Sequence, residues 1–233
     1  MVLPPARLAL DDLRVVFIDD GGVLNDNERR ATQWRRLLGE YLVPRLGGTP
    51  EGWARANVGV FERSWARYLA QLDRAGDGPG VEAWIREDRR VWMIEMCEEL
   101  GIPAPPEPGA FAIATASWVS ERVRADIPGA IDAVRRLHER GLTLNMASGG
   151  LSWEIEPYLR GMGIRDRFDH LYGPDLVDRW KNGPHFYAAI LADSGADPER
   201  SVVVEDNEQM RAAAGSVGLR TFASLAALHE ALD

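Results

Sequence analysis

A chain of 233 residues, 45% of them apolar, with a net charge of −9 and one cysteine, suits one large domain or a core with a smaller companion. It excludes an internal disulfide, and the acidic balance without a Lys/Arg cluster argues against a nucleic-acid partner. No apolar run reaches the roughly 20 residues of a membrane span, and MVLPPARLALDDLR lacks a signal peptide's apolar stretch and cleavage site, so a cytoplasmic protein with no membrane partner is expected.

The first predicted strand is Val15 to Ile18, short and apolar as a buried parallel strand should be. It runs into FIDDGGVLND, where Asp19 and Asp20 meet two glycines. The following segment carries a helical period instead. Trp34, Leu37, Leu38, Tyr41 and Leu42 form one set, and Phe61, Trp65, Tyr68, Leu69 and Leu72 a second. Trp84, Ile85, Trp92, Met96 and Leu100 form a third, and Phe111, Trp118, Val119 and Val123 a fourth. LGGTP, RAGDGPG and GIPAPPEPG punctuate them, which predicts a unit of about four helices. Six of the eight tryptophans (34, 53, 65, 84, 92 and 118) fall inside this unit, where they are expected to form its core.

The pattern then alternates. AIDAVRRLHERG reads as an amphipathic helix, LTLNMAS as a strand, LSWEIEPYLRGMG as a helix and FDHLYGP as a short strand. PHFYAAILADSG is a helix, SVVVED a strand, EQMRAAAGSVG a helix, LRTF a strand and SLAALHEAL a final helix. Such alternation builds a parallel sheet covered on both faces. The predicted architecture is therefore α/β: a doubly wound parallel-sheet core from residues 1–26 and 127–233, with an inserted helical domain over 27–126.

In an open parallel sheet, ligands bind beyond the carboxyl ends of the strands. The residues predicted there are Asp19-Asp20-Gly21-Gly22, Ser148-Gly149-Gly150 and Glu205-Asp206-Asn207, with Lys181 in the loop before PHFYAAI. Small and acidic residues at strand ends also serve as turn formers and caps. Their convergence on one edge is what marks these. Asp19, Glu205 and Asp206 make a hard-oxygen cluster suited to magnesium. Ser148 offers a hydroxyl, and Gly149 an unobstructed N–H at a helix N-terminus, a cradle for phosphate. Lys181 is the only lysine among 27 basic residues, a compact ammonium for which arginine's planar fork is no substitute. A carboxylate nucleophile, a divalent cation, a hydroxyl and an ammonium together suit phosphoryl transfer through an aspartyl-phosphate.

These motifs resemble those of the haloacid dehalogenase superfamily over essentially the whole predicted core. FIDDGGVLND is similar to the family's first motif, D-x-D-G-x-L, which makes Asp19 the nucleophile. LNMAS, ending at Ser148, is similar to the second motif. KNGPHFY, with Lys181 and Pro184 in register, is similar to the third, and VVVED to the fourth. A helical segment directly after the first motif resembles the family's helical-cap subclass. The resemblance implies catalytic roles for Asp19, Ser148 and Lys181, and substrate contacts for Asp20, Gly22, Ser148, Gly149 and Lys181. It implies magnesium held by Asp19, the Gly21 carbonyl and Asp206, with Glu205 supporting. The expected activity is that of a magnesium-dependent phosphatase on a small phosphorylated metabolite, such as a sugar phosphate, acting as a monomer or homodimer.

Some positions depart from the family pattern. Its phosphatases carry an acid/base Asp two residues after the nucleophile, where this chain has Gly21. Asp20 is no replacement, because neighbouring strand-end side chains point in opposite directions. Dehalogenases of the family also lack that Asp, so a haloacid-type dehalogenase using Asp19 is an alternative, although it needs no magnesium and the Glu205-Asp206 pair is retained. A catalytically weakened ligand-binding relative is a further alternative. Asn182 and His185 depart from the third motif. Arg29, Arg30, Arg35 and Arg36 are candidate contacts for an anionic substrate, and LGGTPEGW is a candidate specificity loop.

Overall fold

The structure is a computed structural model, and it describes residues 12–75 and 80–233. Five parallel strands form one sheet in the order β3-β2-β1-β4-β5. They are β1 (Val15–Ile18), β2 (Thr143–Ala147), β3 (His170–Tyr172), β4 (Ser201–Val204) and β5 (Arg220–Phe222). In the central strand β1, Val15 pairs with Thr143 on one side and Ser201 on the other. Successive side chains of a strand face opposite ways, and both faces of this sheet are covered. Val16 and Ile18 join a cluster with α5 (Ala130–Glu139), α6 (Ser152–Met162) and α10 (Leu225–Leu232). Phe17 joins Phe186, Tyr187 and Ile190 of α8 (Pro184–Ser194) and Ala214 of α9 (Glu208–Ser216). That is why β1 reads as an unbroken apolar run rather than an alternation. A single helical turn, α7 (Pro174–Val177), was not predicted.

Between β1 and α5 run α1 (Asn27–Leu46), α2 (Pro50–Ala75), α3 (Val81–Leu100) and α4 (Pro108–Arg122). Their buried residues, among them Leu38, Leu42, Trp53 and Met93, belong to the same apolar cluster as Val16 and Ile18. The tryptophans of this insert do not all lie in its core. Trp53 and Trp92 are buried, but Trp65 is 51% exposed and Trp84 packs against Trp180 of the sheet-bearing part. Among the described residues, no helix is long and apolar enough to cross a membrane.

The two connections of the insert run side by side. The Asp26 N–H donates to Ala125 O and the Ile127 N–H to Leu24 O, both at 2.8 Å, and Asn25 and Asp126 form an antiparallel bridge. Asp26 also caps α1, its carboxylate accepting from the N–H groups of Glu28 and Arg29 at 2.9 and 3.0 Å. The Arg29 guanidinium donates to Asp126 O at 3.0 Å, so Arg29 fastens the connections. From Asp26, the 20 residues of α1 rise roughly 30 Å before the turn at Gly47. LGGTPEGW therefore sits at the far end of the insert, where Trp53 Nε1 donates to Gly47 O at 2.9 Å, and does not line the strand ends.

Helices α4 and α6 cross where Gly161 removes a side chain: a Cβ there would lie 2.2 Å from Glu121 O. A backbone atom cannot yield as a side-chain tip can. Gly161→Ala is expected to destabilise the fold by about 1–3 kcal/mol, read as a fall in thermal midpoint, because it overpacks this crossing. Gly149→Ala, whose Cβ would meet nothing within 4 Å, is the control expected to leave the midpoint nearly unchanged.

Candidate active site

Three predicted residues each extend a strand by one position. The N–H groups of Asp19, Ser148 and Glu205 donate to Val204 O, Tyr172 O and Phe222 O, each at 2.9 Å. The sheet ladder itself thus delivers two carboxylates and a hydroxyl to one edge. After β1 the chain turns tightly: Asp20 O accepts from the N–H groups of Leu24 and Asn25 at 2.9 Å, and the Gly22 N–H donates to Asn25 O at 2.8 Å. Gly22 has φ of +80°, and a Cβ on it would lie 2.0 Å from Asp206 Oδ2. Only glycine meets both demands, and it lets the turn press against Asp206. Gly173, after β3, was missed from sequence. A Cβ there would lie 2.4 Å from Gly150 O, so its absence lets the chain pass close to the start of α6.

Lys181 comes from the irregular loop between α7 and α8. Its Nζ lies 2.7 Å from Asp19 Oδ1 and 2.6 Å from Glu205 Oε2, and its side chain is 6% exposed. Glu205 is further bound: Tyr187 OH donates to Oε2 and the Asn207 N–H to Oε1, both at 3.1 Å. Tyr187 went unnoticed in the sequence because an aromatic on the apolar face of PHFYAAI reads as core. Asp206 is exposed at the same edge. Carboxylate oxygens of Asp19, Glu205 and Asp206 lie within 4.8 Å of one another, a grouping able to hold a metal ion.

Burial governs the proton affinities. It lifts the Asp19 carboxyl from 3.8 to about 7, with Lys181 opposing the rise and Glu205 adding to it. Burial pulls the Lys181 ammonium down, but the Asp19 and Glu205 charges outweigh it and leave the affinity raised. Asp206 is raised by burial and by Glu205. The Tyr187 hydroxyl is raised by burial first and then by Glu205, which keeps it protonated as a donor.

The Asp20 side chain does not join Asp19. It accepts from Asn25 Nδ2 at 2.6 Å and pairs with Arg30, bracing the turn. Arg30 also donates to Asn27 Oδ1 and lies 5.5 Å from the centroid of the Tyr158 ring. Arg36 pairs with exposed Glu40, and Arg35 lines a surface groove between α1 and α2. The space beside Gly21 is filled: a Cβ there would lie 2.9 Å from Asn27 Oδ1 and 3.3 Å from Arg30 Nη2. Ser148 is buried, and its Oγ accepts from the Gly150 N–H at 3.1 Å. Gly149 is exposed, with open space where a side chain would stand.

A family model of haloacid dehalogenase-like hydrolases matches residues 13–218. Among solved structures, the L-2-haloacid dehalogenase of Xanthobacter autotrophicus with covalently bound chloropropionic acid is similar at 20% identity and a TM-score of 0.54, over 90% of this chain and 76% of that one. A defluorinating L-2-haloacid dehalogenase is similar at 17% identity and a TM-score of 0.63, over 90% and 80%. The Bacillus subtilis protein YfnB, bound to magnesium, is similar at 15% identity and a TM-score of 0.61, over 95% and 99%. At these identities the likeness is one of fold. No curated protein sequence matches the chain.

The raised Asp19 carboxyl has a consequence for stability. The folded protein holds that proton more tightly than the unfolded chain, so stability declines as pH climbs between 3.8 and about 7. Asp19→Asn removes the titration. In chelator, its thermal midpoint is expected to lie closest to wild type near pH 4 and to gain on it steadily as pH rises to about 7, by several degrees in all. A wild type that instead gains on the variant with rising pH would show that Lys181 overcompensates for burial.

Proposed function

Because this chain belongs to the haloacid dehalogenase-like hydrolase family, we propose that Asp19 forms a covalent ester with the substrate and that the substrate is a small phosphoester. The observation that carries a phosphoester is the charge at the sheet edge. Asp19, Glu205 and Asp206 face one ammonium, that of Lys181, which leaves two negative charges uncompensated when all three are ionised. An anionic substrate is repelled from such a site unless a divalent cation is present. The donors suit magnesium: Asp19 and exposed Asp206 supply carboxylate oxygens, and the Gly21 carbonyl follows two residues after Asp19. Glu205, held by Lys181, Tyr187 and Asn207, supports the lysine rather than the ion. Magnesium, when bound, would offset the charge of the phosphoryl group.

Asp19 attacks phosphorus, and the bond from phosphorus to the leaving oxygen breaks. Ser148, the Gly149 N–H and Lys181 hold the phosphoryl oxygens as charge develops on them. Water then attacks the aspartyl-phosphate, releasing phosphate and restoring the Asp19 carboxylate. With glycine at position 21, no carboxyl stands there to protonate the leaving oxygen. Good leaving groups, such as anomeric phosphates, are favoured accordingly. The four-helix insert serves as a cap that excludes water from the ester.

A haloacid substrate is the second reading. Gly21 favours it, and several of the similar solved structures bear dehalogenase names, which supports this class at least as well as a phosphoester. In that reaction Asp19 attacks the halogen-bearing carbon, halide departs, and water hydrolyses the resulting ester without a metal.

A panel of phosphate monoesters and 2-haloacids, run with magnesium and with chelator, separates the two. Phosphate release is expected, abolished by chelator, reduced at least about 10³-fold in Asp19→Asn and at least about tenfold in Lys181→Arg. Halide release that survives chelation would replace the phosphoester with a haloacid. Ligand-induced stabilisation without either product would identify a binding protein.

A further inference from the structure

The loop that carries Lys181 packs against the insert as well as against the sheet-bearing part. Residues 179–183 form no helix or strand. Trp180, 2% exposed, docks edge-on against two aromatic rings of the insert, with centroids 5.5 Å from Tyr68 and 5.6 Å from Trp84. Two residues earlier, Asp178 reaches the same helical end. Its Oδ1 accepts from the Gly80 N–H at 2.8 Å and the Val81 N–H at 3.0 Å, capping α3 from the other side of the interface, where Gly80 has no side chain to do so. Asp178 has φ of +47°, the only positive value at a non-glycine among the described residues, so the surrounding contacts hold the loop in a conformation it would not choose alone. The next residue after Trp180 is the lysine that bridges Asp19 and Glu205.

We propose that Trp180 is a positioning residue: its docking between Tyr68 and Trp84 sets Lys181 against Asp19, so the lysine is in place only while the insert is seated. Consecutive Cα atoms are about 3.8 Å apart, so a shift of Trp180 is passed directly to the Lys181 backbone. Two simultaneous hydrogen bonds from one ammonium tolerate only a few tenths of an ångström of displacement. Seating of the insert and assembly of the charged site then become one event. The functional consequence rests on the proposed role of Lys181 in the chemistry, but the structural coupling can be tested without substrate.

Lys181 is the only lysine in the chain, so an amine-acetylating reagent reports on it alone, with the N-terminal amine as internal reference. Acetylation at Lys181 is followed by mass spectrometry in wild type, Trp84→Ala, Trp180→Ala and Trp180→Phe, each checked for its thermal midpoint. Trp84 is half-buried and far from Lys181 in sequence, so its variant tests the coupling even if Trp180→Ala fails to fold. Acetylation is expected to be slow in wild type and at least about fivefold faster in the two alanine variants, with Trp180→Phe restoring much of the protection. Wild-type protection in folded Trp84→Ala would overturn the proposal. Faster acetylation with unchanged turnover would support the coupling and count instead against the catalytic role of Lys181.

Discussion

The buried ammonium of Lys181 between Asp19 and Glu205 is the constraint on which the rest of the sheet edge depends. Strands β1 and β4 are neighbours, so their terminal carboxylates are brought together by the ladder whether or not the charges agree. One cation shared between them makes the arrangement tolerable. Such a pair gives up hydration on both sides, so its value lies in placement rather than in stability. The cost of burial shows in Asp19, whose proton affinity stays high despite the ammonium beside it. A second positive charge is the natural complement to what remains.

Rigid and irregular elements divide the work. Strand ends fix Asp19, Ser148 and Glu205, whose backbones are continuous with the ladder. The turn after β1 is fixed by a different set of bonds, in which Asp20 is the pivot: its carbonyl closes the turn and its carboxylate joins Asn25 and Arg30. Arg30 belongs to the first helix of the insert, so that helix and the nucleophile's turn are braced by one ion pair. Adjacent aspartates of opposite orientation therefore serve different ends, one facing the site and the other facing the scaffold.

The sheet was legible because buried strands are short apolar runs and the intervening helices keep their period. The strand-end residues were legible because a parallel sheet has one edge where such residues collect. Lys181 drew notice by its rarity. Side-chain partnerships were not legible, because they join segments far apart in sequence. Tyr187 and Trp180 look like core aromatics until Glu205 and the insert's rings are seen beside them. Arg30 resembles any solvated helix arginine until its contacts with Asp20 and Tyr158 are known. LGGTPEGW looked available to a substrate only while the direction of α1 was unknown. Trp65, placed in the core by helical spacing, lies outside it because α2 presents Phe61, Trp65 and Leu69 outward.

The paired connections at Asn25 and Asp126 bear on how the two parts of the chain can vary. A segment whose ends meet within a hydrogen bond of each other subtends almost no distance on its host. The sheet's geometry places little demand on the length of what lies between those ends, so helices could be lengthened, exchanged or added there without moving a strand. Freedom of that kind stops where the two parts interlock: at the α4–α6 crossing over Gly161, at the Arg30–Asp20 pair, and at the ring of Trp180 and the carboxylate of Asp178. There the host reaches into the guest, and the two sequences are bound to change together.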